Sequence, residues 1–282
     1  YAHSERPGLD NQGATCFMNS VLQQFNRIRG VRKLLLEAKT EDPFFIELRK
    51  LFGFLSYSNF GYIETKKLLS LWVNWDGTKI EPLVQQDACD YCEMMIDKLS
   101  ALDEATTSKL FRGHMVYKTT GIDVEFSTER KQSITTIPLD IMNCSSFEES
   151  YKQIHNPSYL TGKNQYFAEE LGKKINAQLT TSFGDLPDHL IFQIQRFEYN
   201  YATETRNKIS KEYKVPPTIT INDKKYELKG VIAHAGSAEA GHYVSLVNDN
   251  NQWTLLNDTR STVLEDEAAM KIIQGTEHHF CG

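Results

Sequence analysis

Asn11-Gln12-Gly13-Ala14-Thr15-Cys16 runs directly into Phe17-Met18-Asn19-Ser20-Val21-Leu22-Gln23-Gln24-Phe25. Phe17, Met18, Val21, Leu22 and Phe25 recur at helical spacing, which predicts a helix with a continuous apolar face. Gly13 permits a turn ahead of it, and Cys16 falls on the first helical turn. The positive end of the helix dipole favours a thiolate there. Backbone N–H groups left unpaired at the same end can receive a developing oxyanion. Asn11, five residues upstream, is close enough for its amide to join them. The plain alternative is a small buried residue capping a core helix. A nucleophile needs a base from elsewhere in the chain.

Gly241-His242-Tyr243-Val244-Ser245-Leu246-Val247 alternates like a strand, and Asn248-Asp249-Asn250-Asn251 reads as a turn. Gln252-Trp253-Thr254-Leu255-Leu256-Asn257 then returns. A symmetric turn centred between Asp249 and Asn250 pairs Val247 with Gln252, Ser245 with Thr254 and His242 with Asn257. Directly opposed side chains have Cβ atoms about 4.5–5.5 Å apart. Asn257 could then accept from one imidazole nitrogen and leave the other to take a thiol proton. Adjacent strand residues point to opposite faces, so this register favours Asn257 over Asp258. A three-residue turn or a bulge would reverse the choice, which keeps Asp258 as an auxiliary candidate. His242 could also be an ordinary edge-strand residue. The flanking loop Ala235–Gly241, Gly-bounded and built of small residues, instead suggests a flap beside an open site.

Outward from these two segments, Phe45, Leu48, Leu51, Phe52 and Leu55 predict a second helix, and Asp87–Leu102 a third. From Phe111 onward the pattern changes to short β-type runs: Ser133–Ile141, Leu190–Phe197, Tyr226–His234, His242–Val247 and Gln252–Leu256. Breaks fall at Asn156–Asn164, Tyr201–Asn207 and Ala235–Gly241. Helices first and strands later imply an α+β fold with an antiparallel sheet. The 282 residues suit a single domain with sub-lobes. Composition, at 40% hydrophobic and 24% charged, is that of a globular protein. No apolar run approaches the roughly 18 residues that a membrane span requires. Residues 1–10 lack the apolar stretch of a signal peptide, and a chain starting at Tyr1 reads as a piece of something larger. The five cysteines are odd in number and irregularly spaced, which argues against a disulfide framework. A reducing compartment follows, with the cytoplasm expected and the nucleus allowed. The net charge of −6 disfavours nucleic acid and suits a partner with a basic contact segment.

Taken together, these segments resemble the ubiquitin-specific proteases, in particular the large multi-domain members. Gly8-Leu9-Asp10-Asn11-Gln12-Gly13-Ala14-Thr15-Cys16-Phe17-Met18-Asn19-Ser20 is similar to that family's cysteine box. Gly241-His242-Tyr243-Val244 with Trp253 and Asn257-Asp258 is similar to its histidine box. Gln85-Gln86-Asp87-Ala88 and the run from Leu186-Pro187 through Leu190 to Arg196-Phe197 resemble two further stretches, in the family's order. The resemblance implies a papain-like thumb (about 1–110), fingers (about 111–185) and palm (about 186–282). It implies a deubiquitinase with a Cys16–His242–Asn257 triad and Asn11 at the oxyanion, cleaving after ubiquitin's terminal glycine through a thioester. Ubiquitin, ubiquitinated proteins and ubiquitin chains are the implied partners, with no nucleic acid or membrane, and the implied state is a monomeric domain. Gln86, Asp87, His234, Gly241 and Tyr243 are the implied contacts of the ubiquitin tail. Asp87 reads equally well as a helix N-cap, and His234 could simply fill space.

The chain departs from the family in its fingers. Many members bind a structural zinc through two Cys-x-x-Cys pairs, but Thr120–Val124 and Ala168–Leu171 carry no cysteine. No cofactor is therefore expected, and packing alone must hold the fingers. Cys89 and Cys92, spaced like a redox or metal pair, and His278-His279-Phe280-Cys281 read as decoys. An aromatic-rich last palm strand, usual in the family, is not evident before Gly282. Two other functions stay open: a silent ubiquitin-binding scaffold, and a protease for another ubiquitin-like modifier.

Overall fold

The computed structural model describes residues 6–200, 204–237 and 240–276. After strand β1 (Gly8–Leu9), helix α1 (Cys16–Arg27) runs through the centre of the helical third. Phe17, Met18, Val21 and Leu22 are fully buried, and even the polar Asn19, Ser20, Gln23 and Asn26 are enclosed. Helix α2 (Arg29–Glu37) is followed by α3 (Pro43–Tyr57). Pro43 suits the first position of α3, where no N–H is needed, and Asp42 Oδ1 caps it by accepting from the Phe44 N–H at 2.8 Å. Strand β2 (Tyr62–Ile63) pairs in parallel with β1, and helices α4 (Lys66–Leu71), α5 (Ala88–Leu102) and α6 (Glu104–Phe111) complete the lobe. At its centre Trp72 stacks on Tyr91 at 4.2 Å between ring centroids, both with no exposure. Burying each such side chain contributes roughly 1.5–3 kcal/mol.

Strands dominate from Gly113. In order come β3 (Gly113–Gly121), β4 (Ser127–Ile134), β5 (Thr136–Asp140) and helix α7 (Phe147–His155). Strands β6 (Ser158–Leu160), β7 (Tyr166–Ala168), β8 (Lys173–Ile175), β9 (Ala177–Phe183) and β10 (Ile191–Gln195) follow. One antiparallel sheet has the order β4-β3-β9-β6, with the β7–β8 hairpin separate from it. Strand β5 pairs with β10 in parallel, Ile137 opposite Phe192, so the antiparallel expectation holds for most ladders but not this one.

Next come β11 (Phe197–Asn200), β12 (Thr205–Lys208), β13 (Thr218–Ile221), β14 (Lys224–Glu227) and β15 (Gly230–Gly236). Strands β16 (Gly241–Asp249), β17 (Gln252–Asn257) and β18 (Arg260–Leu264) lead to helix α8 (Asp266–Gln274). The sheet β15-β16-β17-β18 is antiparallel throughout. Strand β16 is buried on both faces: Tyr243 joins the apolar cluster around α1, while Val244 and Leu246 join the one beneath α8. Gln24 of α1 pins the sheet, donating to Ser245 Oγ and Leu246 O at 2.8 Å each.

Three predicted strands prove to be pairs. Ser133–Ile141 breaks at Thr135, Tyr226–His234 breaks at Leu228–Lys229, and Leu190–Phe197 breaks at Arg196. The last break has a visible cause. Arg196 is 5% exposed, and its Nη1 donates to Ile209 O at 3.0 Å and Lys211 O at 2.9 Å, drawing the chain out of line. Two predicted breaks also contain strands, β6 in one and β12 in the other. The mixed architecture is the α+β, papain-like arrangement expected, with helices α1 and α8 on opposite faces of the palm sheet and a second, separate four-stranded antiparallel sheet.

Candidate active site

The nucleophile loop is shaped by Asn11. Its Oδ1 accepts from Gly13 N–H at 2.9 Å and Thr15 N–H at 3.0 Å, curling the chain ahead of α1. Gly13 has φ +136°, and a Cβ there would meet Leu83 at 2.7 Å and the Pro82 carbonyl at 2.9 Å. No other residue fits that turn without strain. Ala14 N–H donates to the same carbonyl at 2.6 Å. Cys16 is thereby set at the first position of α1, 2% exposed, with its Sγ accepting from Tyr243 N–H at 3.4 Å.

His242 arrives from the opposite end of the sequence. Its Nε2 lies 2.7 Å from Asn257 Oδ1, so it is the donor nitrogen, and Nδ1 is left for the thiol. A hydrogen bond with Cys16 is the chief cause raising His242 to about 9; burial opposes it, and the Asn257 bond supports it. The predicted hairpin register needs correction. The turn is Asn250-Asn251, both with positive φ, so Asp249 pairs with Gln252 and Val247 with Thr254. His242 is therefore not directly opposite Asn257. The shift is two residues rather than one, which preserves the face, and the contact is diagonal.

Asp258 stands beside this pair and does different work. Its Oδ2 is 3.8 Å from His242 Nε2, while Asn257 Oδ1 is much closer. Its two oxygens accept from Asn11 Nδ2 and Asn19 Nδ2, each at 2.9 Å. Its carbonyl accepts from Leu9 N–H at 2.8 Å. A Cβ on Gly8 would lie 2.3 Å from that carbonyl, so the close approach requires glycine. Asp258 thus ties the base hairpin to the nucleophile loop. It also engages one N–H of the Asn11 amide, leaving its second N–H as the oxyanion candidate.

The remaining predicted residues are engaged to different degrees. Asp87 Oδ1 caps α5, accepting from Cys89 N–H at 2.7 Å, so the N-cap reading holds for it. Gln86 is half-buried. Gly241, Tyr243 and His234 sit together: His234 pairs with Tyr243 in the ladder, and a Cβ on Gly241 would fall 2.2 Å from His234 Nε2. Sequence reasoning passed over two participants. Gln85 Oε1 accepts from Gly241 N–H at 3.2 Å, linking the α5 approach to the base strand. Asn19, 3% exposed, donates to Asp10 O and to Asp258. The signal for Asn19 was a polar residue three positions after Cys16, between the apolar pairs Phe17-Met18 and Val21-Leu22.

The decoys divide. Cys89 is pushed up to about 12, mainly by burial and then by Glu93, Asp87 and Asp90, and burial also raises Cys92. Neither thiol is poised for redox or metal chemistry. His278–Cys281, and with them any last strand near Gly282, fall outside the described residues. Among the described residues no group of three or more His, Cys, Asp or Glu could hold a metal ion. The two finger stretches do converge, and Phe126, Ala168, Ile175 and Ala177 form an apolar cluster there with Val124, Leu160 and Tyr166. Among the described residues no helix is long and apolar enough to cross a membrane.

A family model described as "Ubiquitin carboxyl-terminal hydrolase" matches residues 7–277. Ubiquitin C-terminal hydrolase 12 of Arabidopsis thaliana is 30% identical over 97% of this chain and 26% of its own length. Ubiquitin carboxyl-terminal hydrolase 7 of Caenorhabditis elegans is 27% identical over 92% of this chain and 24% of its own length. Ubiquitin carboxyl-terminal hydrolase 15 of Saccharomyces cerevisiae is 27% identical over 90% of this chain and 23% of its own length. The chain spans about a quarter of the length of the curated relatives it matches.

Proposed function

The chain belongs to the ubiquitin carboxyl-terminal hydrolase family, and on that premise we propose that it is a cysteine-type deubiquitinase. It cleaves the peptide or isopeptide bond after ubiquitin's C-terminal glycine. One observation carries this reading: Cys16 starts helix α1 with its Sγ accepting from the backbone N–H of Tyr243 at 3.4 Å, and the adjacent His242 has its Nε2 held by Asn257 Oδ1 at 2.7 Å. Thiol, base and orienter come from opposite ends of the sequence, and simple core packing gives no reason for them to meet.

His242 takes the Cys16 proton, and the thiolate attacks the glycine carbonyl. The tetrahedral oxyanion is met by the Cys16 backbone N–H and the second amide N–H of Asn11. His242 returns the proton to the leaving amine, and the C–N bond breaks to leave a thioester. Water, deprotonated by His242, then attacks the thioester, releasing the carboxylate and regenerating the thiol. Asn257 keeps the imidazole in one orientation throughout. Gln86, Asp87, His234, Gly241 and Tyr243 line the tail cleft, the finger sheet grips the body of ubiquitin, and apolar packing takes the place of zinc. The protein acts as a monomeric domain in the cytoplasm or nucleus.

The test is incubation with ubiquitin bearing a C-terminal thiol-reactive group. A covalent adduct that disappears in Cys16→Ala is expected. No adduct with the unaltered chain sinks the reading in favour of a silent scaffold. Adduct formation with a different ubiquitin-like modifier, but not with ubiquitin, reassigns the substrate.

A further inference from the structure

Lys208, at the end of β12, places its ammonium on three acceptors: His234 O at 2.7 Å, His234 Nδ1 at 2.9 Å and Gly236 O at 3.2 Å. An ammonium has only protons to offer, so Nδ1 must be the bare nitrogen of His234 and Nε2 carries the hydrogen. The ring is flanked by Phe197, edge-on at 5.6 Å, and Tyr243 at 4.7 Å. Its Nε2 edge lies against Gly241, where no Cβ fits. Burial first, then the charges of Lys208 and His242, push His234 down to about 4, so the ring stays neutral. A hydrocarbon side chain would fill the space of Lys208 without stripping water from an ammonium. Its presence indicates that the charge and the three donors are what the position requires.

We propose that Lys208 is a positioning residue, tying β12 to the start of the β15–β16 loop and locking His234 in the tautomer whose N–H edge lines the cleft beside Gly241. That N–H donates to a main-chain carbonyl of an extended substrate tail. The proposal rests on the deubiquitinase reading for the identity of the tail, but not for the lock itself. His242 is held by Asn257 Oδ1 at 2.7 Å. Loss of the clamp therefore weakens substrate binding and spares the chemical step.

Two measurements decide it. Histidine-selective NMR on the chain without substrate should find His234 as the Nε2–H tautomer, not titrating between about pH 5 and 8. In Lys208→Met the tautomer should mix, or the ring should titrate inside that window. An Nδ1–H tautomer in the unaltered chain overturns the lock, whatever the substrate. With ubiquitin carrying a C-terminal fluorogenic amide, Lys208→Met and His234→Phe should each raise KM about fivefold, the worth of one neutral hydrogen bond. Their kcat should be retained, and the double variant should match the singles. Unchanged KM in both singles, a loss confined to kcat, or additive losses in the double variant would overturn the proposal. His234→Phe keeps the kinetic arm decisive should Lys208→Met fail to fold.

Discussion

The nucleophile cleft and the fingertips solve opposite problems with opposite materials. Around Cys16, three buried or half-buried amides and carboxylates (Asn11, Asn19 and Asp258) are joined by hydrogen bonds of 2.9 Å across more than two hundred residues of sequence. At the fingertips Phe126, Ala168, Ile175 and Ala177 close the structure with apolar contact, and the Phe126 and Tyr166 rings lie 5.8 Å apart. Hydrogen bonds are directional and fix atoms to tenths of an ångström, whereas apolar contact fixes volume and tolerates shifts in side-chain shape. A reacting centre needs the first kind of restraint. A grip on the body of a partner works with the second.

The sharpest way to test that contrast is to remove the nucleophile. Cys16→Ala should abolish turnover, a loss on the order of 10⁶-fold in kcat, while ubiquitin binding measured by titration persists. Asn257→Ala should lower kcat about a hundredfold through loss of the base's orientation. The same variant moves the pH profile. His242 holds its proton up to about 9, above its ordinary 6.5, partly through Asn257. Its charge therefore supports the folded site fully below about 6.5, and that support is lost as pH rises through about 9. Activity of the unaltered enzyme should fall through about pH 9, and this limb should move to lower pH in Asn257→Ala.

Asp258→Ala should cost less in rate than Asn257→Ala. It should also lower stability by about 1–3 kcal/mol, since it leaves one of the two N–H groups of the buried Asn19 amide without its acceptor. Denaturant unfolding checks the second part, and a larger rate loss than for Asn257→Ala would reverse the assignment of the orienter. In the fingers, Phe126→Ala should cost about 3–5 kcal/mol of local packing. It should raise KM for ubiquitin and leave kcat for a short peptide ester unchanged. Chelation should have the smallest effect, leaving activity and melting temperature where they were. A loss on chelation would place a metal in the fingers.

Much of this contrast was legible in the sequence because it rests on short-range signals. Helix spacing placed Cys16 at the start of α1, and strand alternation put His242 and Asn257 on one face even though the turn centre was misplaced by a residue. Parity survives a two-residue slip, so the right partner emerged from the wrong register. The break at Arg196 was not legible, because a buried guanidinium reaching two distant carbonyls leaves no periodic trace. Gln85 and Lys208 escaped for the same reason: each makes hydrogen bonds to residues distant in sequence. The parallel pairing of β5 with β10 was likewise hidden, since apolar alternation does not encode strand direction.

The bond from Leu9 to the Asp258 carbonyl, and those from Asn11 and Asn19 to its carboxylate, also set a schedule. A chain emerging from the ribosome at about 5–20 residues per second presents its thiol on the order of tens of seconds before its imidazole exists. During that interval Cys16 has no proton acceptor and Asn11 has no anchor. The loop-closure cost of joining the two ends falls on the last steps of folding. The cluster around Cys16 is thus withheld from every incomplete copy, and it can assemble only when synthesis has passed Asp258.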